Sequence, residues 1–206
     1  MMQDSFSERR TEQTTKINPR HCAVLVVDML NDFFKDGGEM VLEGGDVLYE
    51  PIESLTQAGR QLNMPIFWLN QSLSPDDTLF RKRVVHCLKG SWGAGIVDNL
   101  TVAEDDIIVP KRRYSGFFQT DLDLHLRERS IQQVIVTGVV TNICVRSTVN
   151  DAFFLGYDVF VPEECVMATS DQLQQSHLYD IDTHYGTVLG LQDVLDQMES
   201  NSVEVG

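Results

Sequence analysis

The stretch Ala23-Val24-Leu25-Val26-Val27-Asp28 sets five unbroken apolar residues in front of a carboxylate. A half-exposed strand would alternate apolar and polar residues. A continuous apolar run is covered on both faces, as an inner strand of a parallel sheet is. The pattern recurs along the chain. Pro65 to Leu69, Ile107-Ile108-Val109, Val134 to Thr137, Val159-Phe160-Val161 and Thr187 to Leu189 read as further strands, with Pro110 stopping the run that begins at Ile107. Between the strands, helical patterns cover Ile52 to Leu62, Thr120 to Arg129, Asn142 to Leu155, Asp171 to His184 and Leu191 to Met198. Thr120 is placed to cap one of these helices and Gly156 to close another. Strands alternating with helices predict an α/β fold: a three-layer α-β-α sandwich around a Rossmann-like, six-stranded, mainly parallel sheet.

A chain of 206 residues suits one domain with a single large core. Residues 17–200 are assigned to that domain, and residues 1–16, rich in Ser, Thr, Gln, Glu and Arg, to a flexible tail. The net charge of −15 repels phosphate backbones and anionic lipid heads, which argues against nucleic-acid and membrane partners. No apolar run approaches the length of a membrane span. Cys22, Cys87, Cys144 and Cys165 are widely spaced, without a C-x-x-C pair, and point to a reduced, cytoplasmic protein.

Ligands of open parallel sheets bind beyond the carboxyl ends of the strands. Asp28 ends the first strand, Lys111 follows the third and Cys144 follows the fourth. Each has an ordinary structural reading alone: a turn cap, a solvated cation beside Arg112 and Arg113, an inert thiol. Together they place an acid, a cation and a nucleophile on one edge. The segment from Gly138 to Cys144 runs from strand to helix, with Thr141 or Asn142 as the cap. Cys144 then sits in the first turn, where free N–H groups and the helix dipole favour a thiolate. Asp28 would take the thiol proton, and Lys111 would hold the charges in place.

Three segments, Val26-Val27-Asp28-Met29-Leu30-Asn31-Asp32-Phe33-Phe34, Pro110-Lys111-Arg112-Arg113-Tyr114-Ser115-Gly116-Phe117-Phe118 and Thr137-Gly138-Val139-Val140-Thr141-Asn142-Ile143-Cys144-Val145, resemble the motifs of the isochorismatase-like cysteine hydrolases. The resemblance runs from about Pro19 to about Asp196. It implies a catalytic triad of Asp28, Lys111 and Cys144, and a cis peptide between Val139 and Val140. It further implies an oxyanion hole formed by the N–H groups of Val140 and Cys144. Lys89-Gly90-Ser91-Trp92 strengthens the likeness to the ureidoacrylate amidohydrolase and N-carbamoyl amidase branch. That likeness implies substrate contacts at Asn70 and Tyr114, and homo-oligomers, dimers or tetramers, are usual in the family. Ser72 stands where this branch has a Trp.

Phe33, Trp92 and Thr141 complete the expected pocket. Nicotinamidases, a sister branch, bind a metal through Asp-x-His and a later His-Cys pair. Here Asn70-Gln71-Ser72 replaces the first pair and only His86-Cys87 matches, so neither a metal nor another cofactor is expected. The expected activity is cysteine-dependent hydrolysis of a small amide, ureido or carbamoyl C–N bond, with release of ammonia. Two alternatives are vinyl-ether hydrolysis of the isochorismatase type, which needs no thiol, and a non-catalytic ligand-binding scaffold. Replacing Cys144 with Ala separates the first two: ammonia release should vanish, whereas full activity in that variant would remove the thiol from the reaction.

Overall fold

The computed structural model describes Phe6 and residues 15–203. Apart from Phe6, Thr15 and Lys16, the expected tail lies outside the described residues. Seven strands form one sheet: β1 (Cys22–Val27), β2 (Ile66–Gln71), β3 (Ile107–Lys111), β4 (Gln133–Val139), β5 (Asp158–Pro162), β6 (Val166–Met167) and β7 (Thr187–Leu189). The order is β3-β2-β1-β4-β5-β7, with β6 also paired to β4. Every pairing is parallel. The helices are α1 (Asn31–Phe34), α2 (Tyr49–Gln61), α3 (Leu122–Glu128), α4 (Arg146–Phe154), α5 (Asp171–His184) and α6 (Leu191–Val203).

Alternation along the strands explains the three layers. Ala23, Leu25 and Val27 point into one apolar cluster with Leu122 and Leu126 of α3, Val149 and Ala152 of α4, and Ile181 of α5. Cys22, Val24 and Val26 point into the other, with Ile52 and Leu55 of α2 and Val194 and Met198 of α6. One strand thus feeds two cores, which is why its sequence shows no polar phase.

The structure departs from the sequence reading in several places. It has seven strands rather than six, because β6 is two residues long and carries no period to detect. β3 continues through Pro110 to Lys111. It is an edge strand, and an edge tolerates a residue that cannot donate to the ladder. The expected helix from Asn142 is a wide turn over Thr141–Val145 that passes into α4. In α3, which begins at Leu122, the Thr120 hydroxyl accepts from the Leu122 N–H at 3.3 Å, so the threonine sits just ahead of the helix.

Chain order runs outward from β1 to β2 and β3 on one side, and from β4 to β5 and β7 on the other. The reversal between β1 and β4 opens a crevice at their carboxyl ends. Gly138 makes the close approach possible. It pairs with Val27 and has φ +96°, and a Cβ there would lie 2.0 Å from the Val27 carbonyl oxygen. Gly138→Ala should therefore lower the unfolding free energy by roughly 3 kcal/mol or more, read as a shifted urea midpoint. An unchanged midpoint would show that β4 can move off β1 at little expense.

Candidate active site

Asp28 follows β1 with φ +53°, a left-handed conformation rare for a residue with a side chain. Its N–H donates to the Leu69 carbonyl at 3.0 Å. One carboxylate oxygen accepts from the Gln71 N–H at 2.8 Å and the other from Lys111 Nζ at 2.7 Å. Register sets this meeting, since Gln71 of β2 pairs with Lys111 of β3. Both side chains of the ion pair are 1% exposed or less. Lys111 Nζ also donates to the Arg113 carbonyl at 3.3 Å. Burial acts to lower the Lys111 ammonium, but the charges of Asp28 and then Cys144 outweigh it and the shift is upward.

Cys144 borders the same cavity as Asp28, and its thiol interacts electrostatically with both Asp28 and Lys111. Burial pushes it well above its ordinary value; Lys111 opposes that push and Asp28 adds to it. This corrects the expectation of a resting thiolate. Burial and the adjacent carboxylate outweigh Lys111 and whatever help the chain turn supplies. The turn carrying Cys144 is fixed at both ends. The Val140 carbonyl accepts from the N–H groups of Ile143, at 3.0 Å, and Val145, at 3.3 Å. The Thr148 hydroxyl donates to the Cys144 carbonyl at 2.8 Å and accepts from the Gly116 N–H at 3.0 Å. Neither Thr141 nor Asn142 caps the turn: Val140 holds the cap position, and the Asn142 carboxamide bonds to Thr169 instead. The Val139–Val140 peptide is cis.

A small cavity of about 50 Å³ opens over this group, lined by Asp28, Phe33, Met40, Gln71, Leu79, Arg83, His86, Tyr114, Val139, Val140, Ile143 and Cys144. Of the expected contacts, Phe33, Tyr114 and Val140 are in its wall, together with Asp28 and Cys144. Lys111 stands behind Asp28. Three expected contacts lie elsewhere. Asn70 shares the phase of Trp68 on β2, whereas Gln71 shares that of Leu69, so strand alternation gives Gln71 the cavity. Trp92 is 57% exposed and outside the lining. Thr141 is buried beneath the turn. Sequence reasoning missed Gln71, Met40, Leu79, Arg83, Val139 and Ile143, and expected His86 as a loop residue near the pocket without giving it a contact. Alternation could have found Gln71 had β2 been carried past Leu69.

Buried carboxylates hold the irregular walls. Asp32 accepts from the N–H groups of Glu39, at 3.2 Å, and Cys87, at 2.5 Å. Its own N–H donates to Gly93, where a Cβ would strike the Asp32 carboxylate at 2.2 Å. Asn31 donates to the Trp92 carbonyl at 2.8 Å, which explains the nearby Lys89-Gly90-Ser91-Trp92 motif as structure rather than pocket wall. Asp77 caps Leu79 at 3.0 Å and accepts from Arg112 and Arg113 at 2.9 and 3.2 Å. The Leu79 N–H, then the Arg112 guanidinium, hold the Asp77 carboxyl down at about 2. A lowered carboxylate pKa stabilises the fold above its ordinary value of 3.8, and that support fades as pH falls through about 2. Asp77→Asn should therefore flatten the acid stability profile between about pH 4 and 2, measured by the midpoint of thermal unfolding; a profile parallel to the parent protein would show that Asp77 contributes nothing there.

A sheet crevice that gathers a buried acid, a lysine and a thiol is the candidate active site of this three-layer α/β protein. Comparison with known proteins gives the family. Residues 22–193 match the Isochorismatase domain, and the chain belongs to that family. It is 35% identical over 207 residues to ureidoacrylate amidohydrolase RutB of Cronobacter turicensis, covering 87% of this chain and 89% of the relative. A cysteine hydrolase from Pseudomonas syringae pv. phaseolicola superposes with a TM-score of 0.87 at 26% identity, covering 94% of this chain and 99% of that one. N-carbamoylsarcosine amidase from Thermoplasma acidophilum gives 0.77 at 30% identity, covering 82% and 96%. The protein is an amidohydrolase, a hydrolase acting on C–N bonds.

Proposed function

We propose that the protein hydrolyses the C–N bond of a small ureido or carbamoyl acid through a covalent Cys144 thioester. The observation that carries this reading is the buried Asp28–Lys111 ion pair, whose carboxylate lines one cavity together with Cys144. Asp28 takes the thiol proton as sulfur bonds to the substrate carbonyl carbon. The oxyanion is received by the N–H groups of Val140 and Cys144. The C–N bond breaks as protonated Asp28 returns that proton to the departing nitrogen. Water then adds to the thioester, giving one proton to Asp28. The C–S bond breaks and the proton passes to sulfur, restoring the thiol and the carboxylate. When a carbamoyl group is transferred, the carbamate released decomposes to carbon dioxide and ammonia.

The acidic partner of the substrate follows from Arg83. It borders the cavity, and no carboxylate among the described residues pairs with it. It gives a locally positive mouth to a chain of net charge −15. A relative named for ureidoacrylate and a structural neighbour named for N-carbamoylsarcosine both act on such anions. A homo-oligomeric, cytoplasmic enzyme completes the proposal, supported by four free cysteines and by exposed Phe153 and Phe154. No helix among the described residues is long and apolar enough to cross a membrane.

An ammonia-release screen over ureido acids, N-carbamoyl amino acids, nicotinamide and simple amides tests the reading. Ureido or carbamoyl acids should be turned over, and Cys144→Ala and Asp28→Asn should each lose roughly a thousandfold or more in kcat. Turnover of isochorismate with Cys144 replaced would favour vinyl-ether chemistry, and inertness towards the whole panel would favour a scaffold. Iodoacetamide with intact-mass readout adds a check. Burial raises all four thiols, so only Cys144, with Asp28 as base, should be alkylated at neutral pH. Asp28→Asn should slow that alkylation at least tenfold, and equal labelling of all four cysteines would defeat the proposal.

A further inference from the structure

Gln71 and His86 form a buried pair in the cavity wall, 1% and 4% exposed. His86 Nδ1 lies 2.8 Å from the Val84 carbonyl oxygen, and Nε2 lies 3.2 Å from the Gln71 Oε1 position, which leaves the Gln71 Nε2 position as the far end of the carboxamide. The opposite end of that carboxamide has no hydrogen-bond partner. Phe33 and Phe80 pack edge-on against the imidazole, at 5.8 and 5.9 Å between ring centroids, and fix its plane. Asp28, Cys144, Arg83 and Tyr114 border the same cavity.

Hydrogen-bond chemistry orders this pair. A carbonyl only accepts, so the proton of a neutral His86 sits on Nδ1. Nε2 is then an acceptor, so the Gln71 carboxamide is turned over, with its NH2 group facing His86 and its oxygen in the unpartnered position. The nitrogen and oxygen ends of a carboxamide have nearly the same shape, and the hydrogen-bond network decides which is which. With NH2 on His86, the unpartnered buried end is the carbonyl oxygen. A buried acceptor without a partner is unfavourable until a donor arrives. The same residue's main-chain N–H holds the Asp28 carboxylate, so the orphan acceptor is tied to the reacting centre.

We propose that the Gln71 side-chain carbonyl, oriented by His86, recognises the terminal NH2 of the substrate's carbamoyl group. The inference rests on the proposed carbamoyl chemistry and deepens it. Gln71 is then a substrate-binding residue and His86 a positioning residue. The carbamoyl NH2 donates to Gln71, while an N-formyl or N-acetyl analogue has no donor at that place. Discrimination between a ureido acid and its acylated counterpart thus resides in one acceptor.

The test uses the full-length Cys144→Ala protein, which binds without turnover. An N-carbamoyl amino acid and its N-formyl analogue are titrated by calorimetry. Gln71→Met should weaken carbamoyl binding roughly tenfold and leave formyl binding within about twofold. The main-chain bond to Asp28 is untouched by that change. His86→Phe keeps Gln71 but frees its carboxamide to turn, and should give a smaller loss confined to the carbamoyl ligand. Nitrogen-15 spectra of the parent protein should show His86 protonated at Nδ1 and bare at Nε2, assigned by its disappearance in His86→Phe. Equal losses for both ligands, a proton on Nε2, or no carbamoyl binding at all would overturn the inference. Because these readouts need no turnover, they stay separate from the ammonia screen that decides the proposed activity.

Discussion

The contact between Asp28 and Lys111 is the constraint around which the structure is arranged. Two opposite charges 2.7 Å apart are removed from water. Such a pair is tolerated only when its geometry is close and its remaining hydrogen-bonding groups are satisfied. Both conditions draw on the sheet. The second Asp28 oxygen takes the Gln71 N–H, the Asp28 N–H finds Leu69, and the Lys111 ammonium reaches the Arg113 carbonyl. Three neighbouring strands must therefore keep one register. A slip of one residue between β2 and β3 would turn Lys111 to the other face and strand a carboxylate.

A few of the chain's acidic residues serve the interior. Asp28, Asp32, Asp77 and Asp106 are all turned inward and engaged. Asp106 gathers Trp68 Nε1, at 2.9 Å, and the Arg60 guanidinium, at 2.7 Å. Asp32 and Asp77 do the same for the segments above the sheet. These segments have few strand or helix hydrogen bonds of their own. A carboxylate accepts several N–H groups at once, so one aspartate can tie two loops where a ladder could not form. A part of the negative net charge therefore reflects how the cavity walls are built.

The residues that were legible in the sequence share a physical origin. β1 shows itself because both faces are covered, and α5 because the run from Asp171 to His184 keeps a helical pattern. Asp28, Lys111 and Cys144 were legible as reactive groups at strand ends. β6 left no trace because two residues cannot show alternation. Asn70 was chosen over Gln71 because the strand was ended at Leu69, and adjacent positions face opposite sides. Trp92 was assigned to the pocket from its motif, yet the motif is held by its main chain, through Asn31 and Asp32. Met40, Leu79 and Arg83 could not be found at all, since loop residues meet the cavity through tertiary contacts that have no local period.

On the proposed mechanism, the same buried pair lets a thiol held above its ordinary pKa act as a nucleophile. At rest the site holds a carboxylate, an ammonium and a neutral thiol, with net charge zero. Moving the proton from Cys144 to Asp28 yields a neutral acid, an ammonium and a thiolate, again with net charge zero. Ionising the thiol to bulk water would instead place a second negative charge in a buried site, which desolvation resists. Proton exchange inside the site avoids that penalty, because the charge moves only from one neighbour of Lys111 to another. The lysine need not touch the substrate to matter, since it makes the two proton placements close in energy, and it can do so only where the sheet register holds it against Asp28.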